Sequence, residues 1–221
     1  MPIALRHAHD KVPPITVPLN LTVREEHDAQ RLASMQMRDV ASIEERLASH
    51  HRAYVAYLDD TVAGWGWLAT RDARIGELGF SFTIAPRERY LWNFVTVSTH
   101  RGRGVYPRLL DEIVRREAHA VDRFWVAYAP ENFASGSGIR KAGFVDLAAL
   151  SFLPSGQPAL SDLLPGGAKR ARVLLGVATS VTPLAPCWRC VRGGRSHACA
   201  SGSCACDYQQ PESGCTTGSL R

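Results

Sequence analysis

The first 186 residues of this 221-residue chain contain no cysteine. A disulfide-stapled fold is excluded for that part, and so is a metal site built on thiolates. Lysine is nearly absent as well: Lys11, Lys141 and Lys169 are the only three among 26 basic residues. No apolar run approaches the ~20 residues that a membrane-spanning helix needs. The opening stretch MPIALRHAHDKVPP lacks the apolar core of a secretory leader, so the expected compartment is the cytoplasm. Excess charge is missing from residues 1–164, where 19 basic side chains meet 19 acidic ones.

What is present is a composition of 45% hydrophobic and 21% charged residues, that of a soluble globular protein. The length suits one well-filled domain with a remainder. The whole formal charge of +5 sits in residues 165–221, and all six cysteines lie between Cys187 and Cys215. The expected organisation is a neutral domain over residues 1–182 followed by a basic, cysteine-rich tail over 183–221.

The most informative stretch is Leu91 to Leu110. Leu91 to Val97 is a run of large apolar and β-branched residues, which suits a buried strand. Arg101-Gly102-Arg103-Gly104 interrupts it, and Leu109, Leu110, Ile113 and Val114 then recur at helical spacing. A helix is expected to begin near Val105, with Pro107 in its first turn. Glycines before a helix N-terminus leave outward N–H groups and a favourable dipole, so the loop suits a phosphate, and Arg101 and Arg103 add positive charge. Taken alone, the loop also reads as an ordinary glycine turn with two solvated arginines. No Gly-Lys-Ser/Thr follows it, and no GxGxxG is present, so it is neither a Walker loop nor a dinucleotide fingerprint.

Arg101 to Tyr106 resembles the acetyl-CoA pyrophosphate loop of the GNAT superfamily of N-acyltransferases, whose pattern is Arg/Gln-x-x-Gly-x-Gly/Ala. One position departs: Tyr106 stands where the family prefers Gly or Ala. Asn132 to Phe144, NFASGSGIRKAGF, resembles a second GNAT segment, with Asn132, Ser135, Lys141, Gly143 and Phe144 in register. Read physically, Asn132 can cap a helix and bond an amide-rich ligand. Gly143 can end that helix and Phe144 re-enter the core. Ile139 stands where many members carry a Tyr proposed to protonate the leaving thiolate. Gly136 and Gly138 weaken the helix 134–141, by roughly 1 kcal/mol each.

The resemblance covers roughly residues 20–180. It implies an α/β (α+β) fold with a mixed, mostly antiparallel twisted sheet. A central parallel strand pair is splayed around acyl-CoA, and helices flank the sheet. Residues 1–20 are ambiguous, with Pro13, Pro14 and Pro18 interrupting an edge strand from Ile15 to Val23. Helices are expected over Glu25–Met37 and Val40–Ser49, and strands over Arg52–Leu58 and Val62–Thr70 around an Asp59-Asp60 turn. Trp65 and Trp67 share one face of the latter, with Gly64 and Gly66 opposite as a mark of twist or of a ligand wall. Gly79–Ile84 and Leu91–Val97 are read as continuing an antiparallel meander, and Arg123–Ala129 as lying parallel to the latter. Val145–Phe152 and Arg172–Val177 would be the last two strands, joined by a loop over 153–169. His27, His50 and His51 read as solvated surface.

The chemistry that the resemblance implies is acetyl transfer from acetyl-CoA to a primary amine in a ternary complex. The pantetheine arm would lie against Val95, Thr96 and Val97. The pyrophosphate would sit on Arg101, Gly102, Arg103, Gly104, Val105 and Tyr106, with Asn132 as a further contact. A strand N–H would polarise the thioester carbonyl, and juxtaposition of amine and thioester would supply much of the rate. Glu77, Glu88, Asn93 (through a water) and Tyr128 are candidates to receive the amine proton, none of them singled out by sequence. Acceptor choice is expected to reside in residues 25–49 and 71–90.

The tail spacing, C-x2-C-x8-C-x4-C-x-C-x8-C, allows a tetrahedral thiolate zinc site on Cys187, Cys190, Cys204 and Cys206. Cys199, Cys215 or His197 can substitute. A disordered tail and disulfides are the alternatives. Only Trp188 and Tyr208 are available there to stack on bases, so neither nucleic acid nor membrane is an expected partner. A monomer or homodimer is expected. The other functional reading is a catalytically silent GNAT-like binding or regulatory protein acting through that tail.

Overall fold

The computed structural model describes residues 1–12, 14–153 and 157–181. Strand β1 (Pro2–His7) opens the chain, and β2 (Leu21–Glu26) follows an irregular stretch. Helices α1 (Ala29–Gln36) and α2 (Val40–Ala48) start at Asp28 and Asp39, whose carboxylates accept from Arg31 and Ser42 N–H. The hairpin β3 (His51–Leu58) and β4 (Thr61–Ala69) turns through Asp59 and Asp60, both with φ near +50 to +60°. A small hairpin, β5 (Asp72–Ile75) and β6 (Phe80–Thr83), precedes β7 (Glu88–Thr96). Then come α3 (Val105–Glu117), β8 (Arg123–Ala127), α4 (Phe133–Lys141) and β9 (Val145–Phe152). Strand β10 (Pro158–Asp162), α5 (Gly167–Leu175) and a two-residue β11 (Ala178–Thr179) complete the described chain.

Nine strands form one sheet in the order β11-β10-β9-β1-β8-β7-β4-β3-β2. Its pairs are antiparallel except β7–β8 and β10–β11. This is the mixed, mostly antiparallel sheet expected from sequence. Helices α3 and α4 cover one face through Leu109, Leu110, Ile113 and Ile139, with Phe144 after α4 in the same cluster. On the other face α1 and α2 pack over Val55 and Trp67, while α5 and the β5–β6 hairpin pack over Leu5, Trp125 and Leu160.

Several boundaries differ from the sequence reading, each for a physical reason. The ambiguous N-terminus supplies an interior strand, β1, seated between β8 and β9 with Ile3 and Ala4 fully buried. The expected edge strand over 15–23 is shifted to Leu21–Glu26, so Glu25 and Glu26 pair with β3 and do not begin a helix. Arg172–Val177 is not a strand: residues 172–175 belong to α5, because Ala168, Ala171, Leu174 and Leu175 share one buried helical face. The expected 153–169 loop contains β10, which pairs with β9. Phe80–Thr83 pairs with β5 in a separate hairpin, so the meander passes from β4 straight to β7. The cysteine-rich tail, with Cys187, Cys190, Cys204 and Cys206, lies outside the described residues.

Candidate active site

The parallel strands β7 and β8 are in register only from Glu88–Arg123 to Leu91–Val126. Beyond that point they part. The cause is visible in β7, where Trp67 faces Trp92 but Trp65 faces Val95, so Asn93 and Phe94 together oppose Gly66. This is a β-bulge, with Asn93 in the left-handed region at φ 54°. The Phe94 ring fills the place where residue 66 would carry a Cβ, so Gly66 serves packing. Asn93 and Val95 are consequently exposed, beside an opening in the middle of the sheet.

At the end of β7, Val97 to Arg101 make a 3-10 turn, and Gly104 at φ 76° caps α3. The helix starts at Val105, where the apolar spacing placed it. Arg108 N–H is the first to bond back into the loop, to Gly104 O at 3.2 Å. Among the described residues no backbone acceptor is found for the N–H groups of residues 102–106. Arg101, Gly102 and Arg103 are exposed. The loop is thus a cationic helix N-terminus with free donors, a fit for an anionic group such as a pyrophosphate. The chain segment after β1 crosses it: a Cβ on Gly104 would lie 2.5 Å from the carbonyl oxygen of Thr16.

Helix α4 begins where Asn132 accepts from Ser135 N–H at 3.0 Å. It ends in two bonds, Phe144 N–H to Ile139 O and Gly143 N–H to Arg140 O, with Gly143 at φ 83°. It is one regular nine-residue helix despite its glycines. Those glycines admit tyrosines from neighbouring elements. Tyr106 lies against Gly138 and Tyr128 against Gly136, where a Cβ would meet the rings at 2.5 and 2.7 Å. The Tyr106 ring is 5.4 Å from that of Phe94, and its hydroxyl is 3.3 Å from Ser135 Oγ. Burial pushes the Tyr106 hydroxyl pKa up to about 12. Ile139 is fully buried and offers no group to the opening.

On the opposite face, between α2 and the β5–β6 hairpin, lies a cleft of about 730 Å³. Tyr90, Trp92, Asn93 and Tyr128 line it from the sheet. One wall carries Arg38, Glu45, Arg46 and His51, and the other carries Asp72, Arg74 and Glu77. Apart from His51, these wall residues fall within residues 25–49 and 71–90. Arg46 lies over the rings of Trp67 and Trp92, at 5.2 and 4.9 Å from their centroids. His51 is half-buried rather than solvated, and its Nδ1 accepts from Trp92 Nε1 at 3.1 Å. Burial, followed by the Arg46 charge, lowers the His51 pKa against a smaller opposing effect of Asp72.

Of the four candidate proton acceptors, Glu77, Asn93 and Tyr128 line the cleft. Glu88 does not: it is buried, accepting from Trp125 Nε1 at 2.6 Å and pairing with Arg123 at 2.7 Å. It holds the start of the parallel pair together. The Tyr128 hydroxyl donates to Asp146 Oδ2 at 2.9 Å, and burial and that carboxylate raise its pKa. Arg38, Arg46, His51 and Asp72 carry no shared local motif, which is why sequence spacing does not single them out. Among the described residues no cluster of three or more His, Cys, Asp or Glu side chains is placed to hold a metal. Nor is any helix long and apolar enough to cross a membrane.

No curated protein sequence matches the chain. Among solved structures, a GCN5-related N-acetyltransferase from Kribbella flavida is 13% identical over 66% of this chain and 53% of its own, with a TM-score of 0.46. The chain thus spans about half the length of that protein. An acetyltransferase of the GNAT family from Streptococcus pneumoniae is 17% identical over 60% of this chain and 90% of its own, with a TM-score of 0.42. A Bacillus subtilis acetyltransferase in complex with CoA is 16% identical over 61% of this chain and 81% of its own, with a TM-score of 0.43. The family model "Acetyltransferase (GNAT) family" matches residues 20–144, which contain the bulged strand, the glycine loop and the capped helix α4. The chain belongs to the GNAT acetyltransferase family.

Proposed function

We propose that this chain transfers an acetyl group from acetyl-CoA directly to a primary amine. The observation that carries the reading is the parting of β7 and β8 beyond Leu91 and Val126. The opening has the cationic helix N-terminus of α3 at its mouth and the 730 Å³ cleft on its other side. A thioester and an amine brought from these two sides meet at the bulge.

In this reading the N–H groups of residues 102–106, with Arg101 and Arg103, hold the pyrophosphate. The exposed edge of Val95 to Val97 holds the pantetheine amides, and Asn132 adds a contact from α4. A main-chain N–H beside the bulge polarises the thioester carbonyl. The new C–N bond forms as the C–S bond breaks, the amine loses a proton and the sulfur leaves as thiolate. Tyr106, whose hydroxyl burial keeps protonated, is the donor that replaces the side chain missing at Ile139. Sequestration of the two reactants from water supplies most of the remaining acceleration.

Calorimetric titration of acetyl-CoA, wild type beside an Arg101→Ala/Arg103→Ala variant, tests the reading. Saturable binding weakened at least tenfold in the variant is the expected result. A folded wild type that does not bind acetyl-CoA would refute it. Binding without thiol release for any amine would instead favour a silent acyl-CoA-binding protein, the reading to which the buried Ile139 lends weight.

A further inference from the structure

Among the described residues Arg46 makes no ion pair at contact distance, although the Asp39 charge acts on it from farther away. Its guanidinium carbon lies 5.2 and 4.9 Å from the ring centroids of Trp67 and Trp92, and its Nη1 is shut off from solvent with no hydrogen-bond partner among the described residues. A guanidinium held over aromatic rings can still offer N–H donors to a carboxylate, which binds it side-on in the guanidinium plane. The acceptors nearest those two indoles are bonded to the indole N–H groups. Gln36 Oε1 receives Trp67 Nε1 at 3.1 Å, and His51 Nδ1 receives Trp92 Nε1 at the same distance. Arg38 stands beside Arg46 on the same wall; burial, then the Arg38 charge, lowers the Arg46 pKa against a smaller opposing effect of Asp39. Among the described residues neither arginine has a carboxylate at ion-pair distance. Leaving a shielded charged donor unpaired is unfavourable, and an anion bound to this half-buried guanidinium would relieve it.

We infer that the cleft takes an acceptor in which the amine is accompanied by a carboxylate, and that Arg46, with Arg38 beside it, receives that carboxylate. The inference rests on the acyl-transfer reading for the fate of the amine. Asp72 and Glu77 on the facing wall suit the ammonium end of such a molecule and disfavour a dianion. A free carboxylate is therefore a better fit than a phosphate. Arg46 touches Trp92, which immediately precedes Asn93 at the bulge. An anchor there sets the acceptor beside the place where β7 and β8 part. The substrate class is that of free amino acids or small amino carboxylates.

The test is calorimetric titration of CoA-saturated protein with matched pairs: phenylalanine against phenethylamine, tryptophan against tryptamine, and lysine against cadaverine. O-Phosphoethanolamine serves as the phosphate probe. At least one amino acid is expected to bind tenfold or more tightly than its decarboxylated partner. Arg46→Leu should abolish the difference, Arg46→Lys should keep part of it, and the exposed Arg38→Gln should reduce it. The last two variants decide the matter if Arg46→Leu does not fold. Absence of any preference across the pairs, or its survival in Arg46→Leu, would overturn the inference, and so would tighter binding of O-phosphoethanolamine than of every amino acid. If acetyl-CoA binds and the pairs do not differ, the carboxylate site falls alone. If acetyl-CoA fails to bind while amino acids show the preference in the CoA-free protein, the acyl-transfer reading falls and the carboxylate site stands.

Discussion

Trp92 donates its indole proton to Nδ1 of His51 at 3.1 Å, and the two rings meet edge to face with centroids 5.2 Å apart. That bond places the proton of the neutral imidazole on Nε2. Burial and the neighbouring Arg46 both disfavour a second proton.

The sign of the resulting pH dependence follows. The unfolded chain takes up a proton at this histidine near its ordinary pKa of about 6.5, whereas the folded chain does so only at lower pH. Stability from this group is complete above about pH 6.5 and is lost as pH falls through the folded value. Melting curves at pH 7.5 and 5.5 should show a larger acid-induced loss in wild type than in His51→Gln. Arg46→Leu should move the His51 titration, followed by NMR of its ring carbons, towards the ordinary value. A His51 that titrates at or above that value would contradict this account.

In the acyl-transfer reading proposed above, Tyr106 would stand in, from a different element, for the tyrosine missing at Ile139. Its hydroxyl is a donor across the working pH range, because burial pushes its pKa up to about 12. Tyr106→Phe retains the ring contacts with Phe94 and Gly138. Its expected effect is a fall in kcat of about 10²-fold, with the acetyl-CoA affinity changed by less than threefold. An unchanged kcat would show that solvent protonates the thiolate.

Much of the local structure around the glycine loop and α4 was legible in sequence because its signals are local. Arg101 to Tyr106 and Asn132 to Phe144 each carry their helix start or stop within a few residues, and those helix ends lie where the residues suggest, although α4 is more regular than its glycines imply. The N-terminal strand was not legible for the opposite reason. Ile3, Ala4 and Leu5 are buried on both faces of the sheet, so no apolar alternation marks them, and Arg6 is buried against Asp111. The Val173-Leu174-Leu175 run reads equally as strand or helix, and only tertiary packing leaves Val173 72% exposed on α5. The charged cleft was illegible because its residues come from α2, β3 and the β5–β6 hairpin, which only the fold brings together.

Glu117 shows how the scaffold behind the site is held. It is 3% exposed, near the end of α3, and it accepts from the Tyr54 hydroxyl at 2.9 Å while pairing with Arg52 and Arg89. Removing one member of a buried charged group leaves its partners uncompensated. Glu117→Ala should therefore lose about 3–5 kcal/mol in urea unfolding. Tyr54→Phe, which deletes one hydrogen bond to a charged acceptor, should lose about 1.5–3 kcal/mol. Equal and small losses for both variants would argue that the network is not closed in solution.

Strand β1 yields the last prediction, because it sits where two other strands would otherwise be left with unpaired inner edges. It bonds to β8 along Ile3–His7 and to β9 along Pro2–Leu5. Its Arg6 reaches α3 at Asp111 and the end of α4 at Ala142 O, 3.0 and 2.7 Å away. One six-residue strand thus joins both halves of the sheet to the two helices that frame the glycine loop. Ile3→Ala should destabilise the fold by about 2–5 kcal/mol, the range for emptying a fully buried aliphatic site. Deleting residues 2–7 should do more than remove contacts, since it exposes two long strand edges in the sheet centre, the geometry that invites aggregation. The expected outcome is insoluble protein, with solubility restored when a synthetic peptide of residues 1–12 is supplied during refolding. A soluble deletion variant that still binds acetyl-CoA would show that β8 and β9 close on each other without β1.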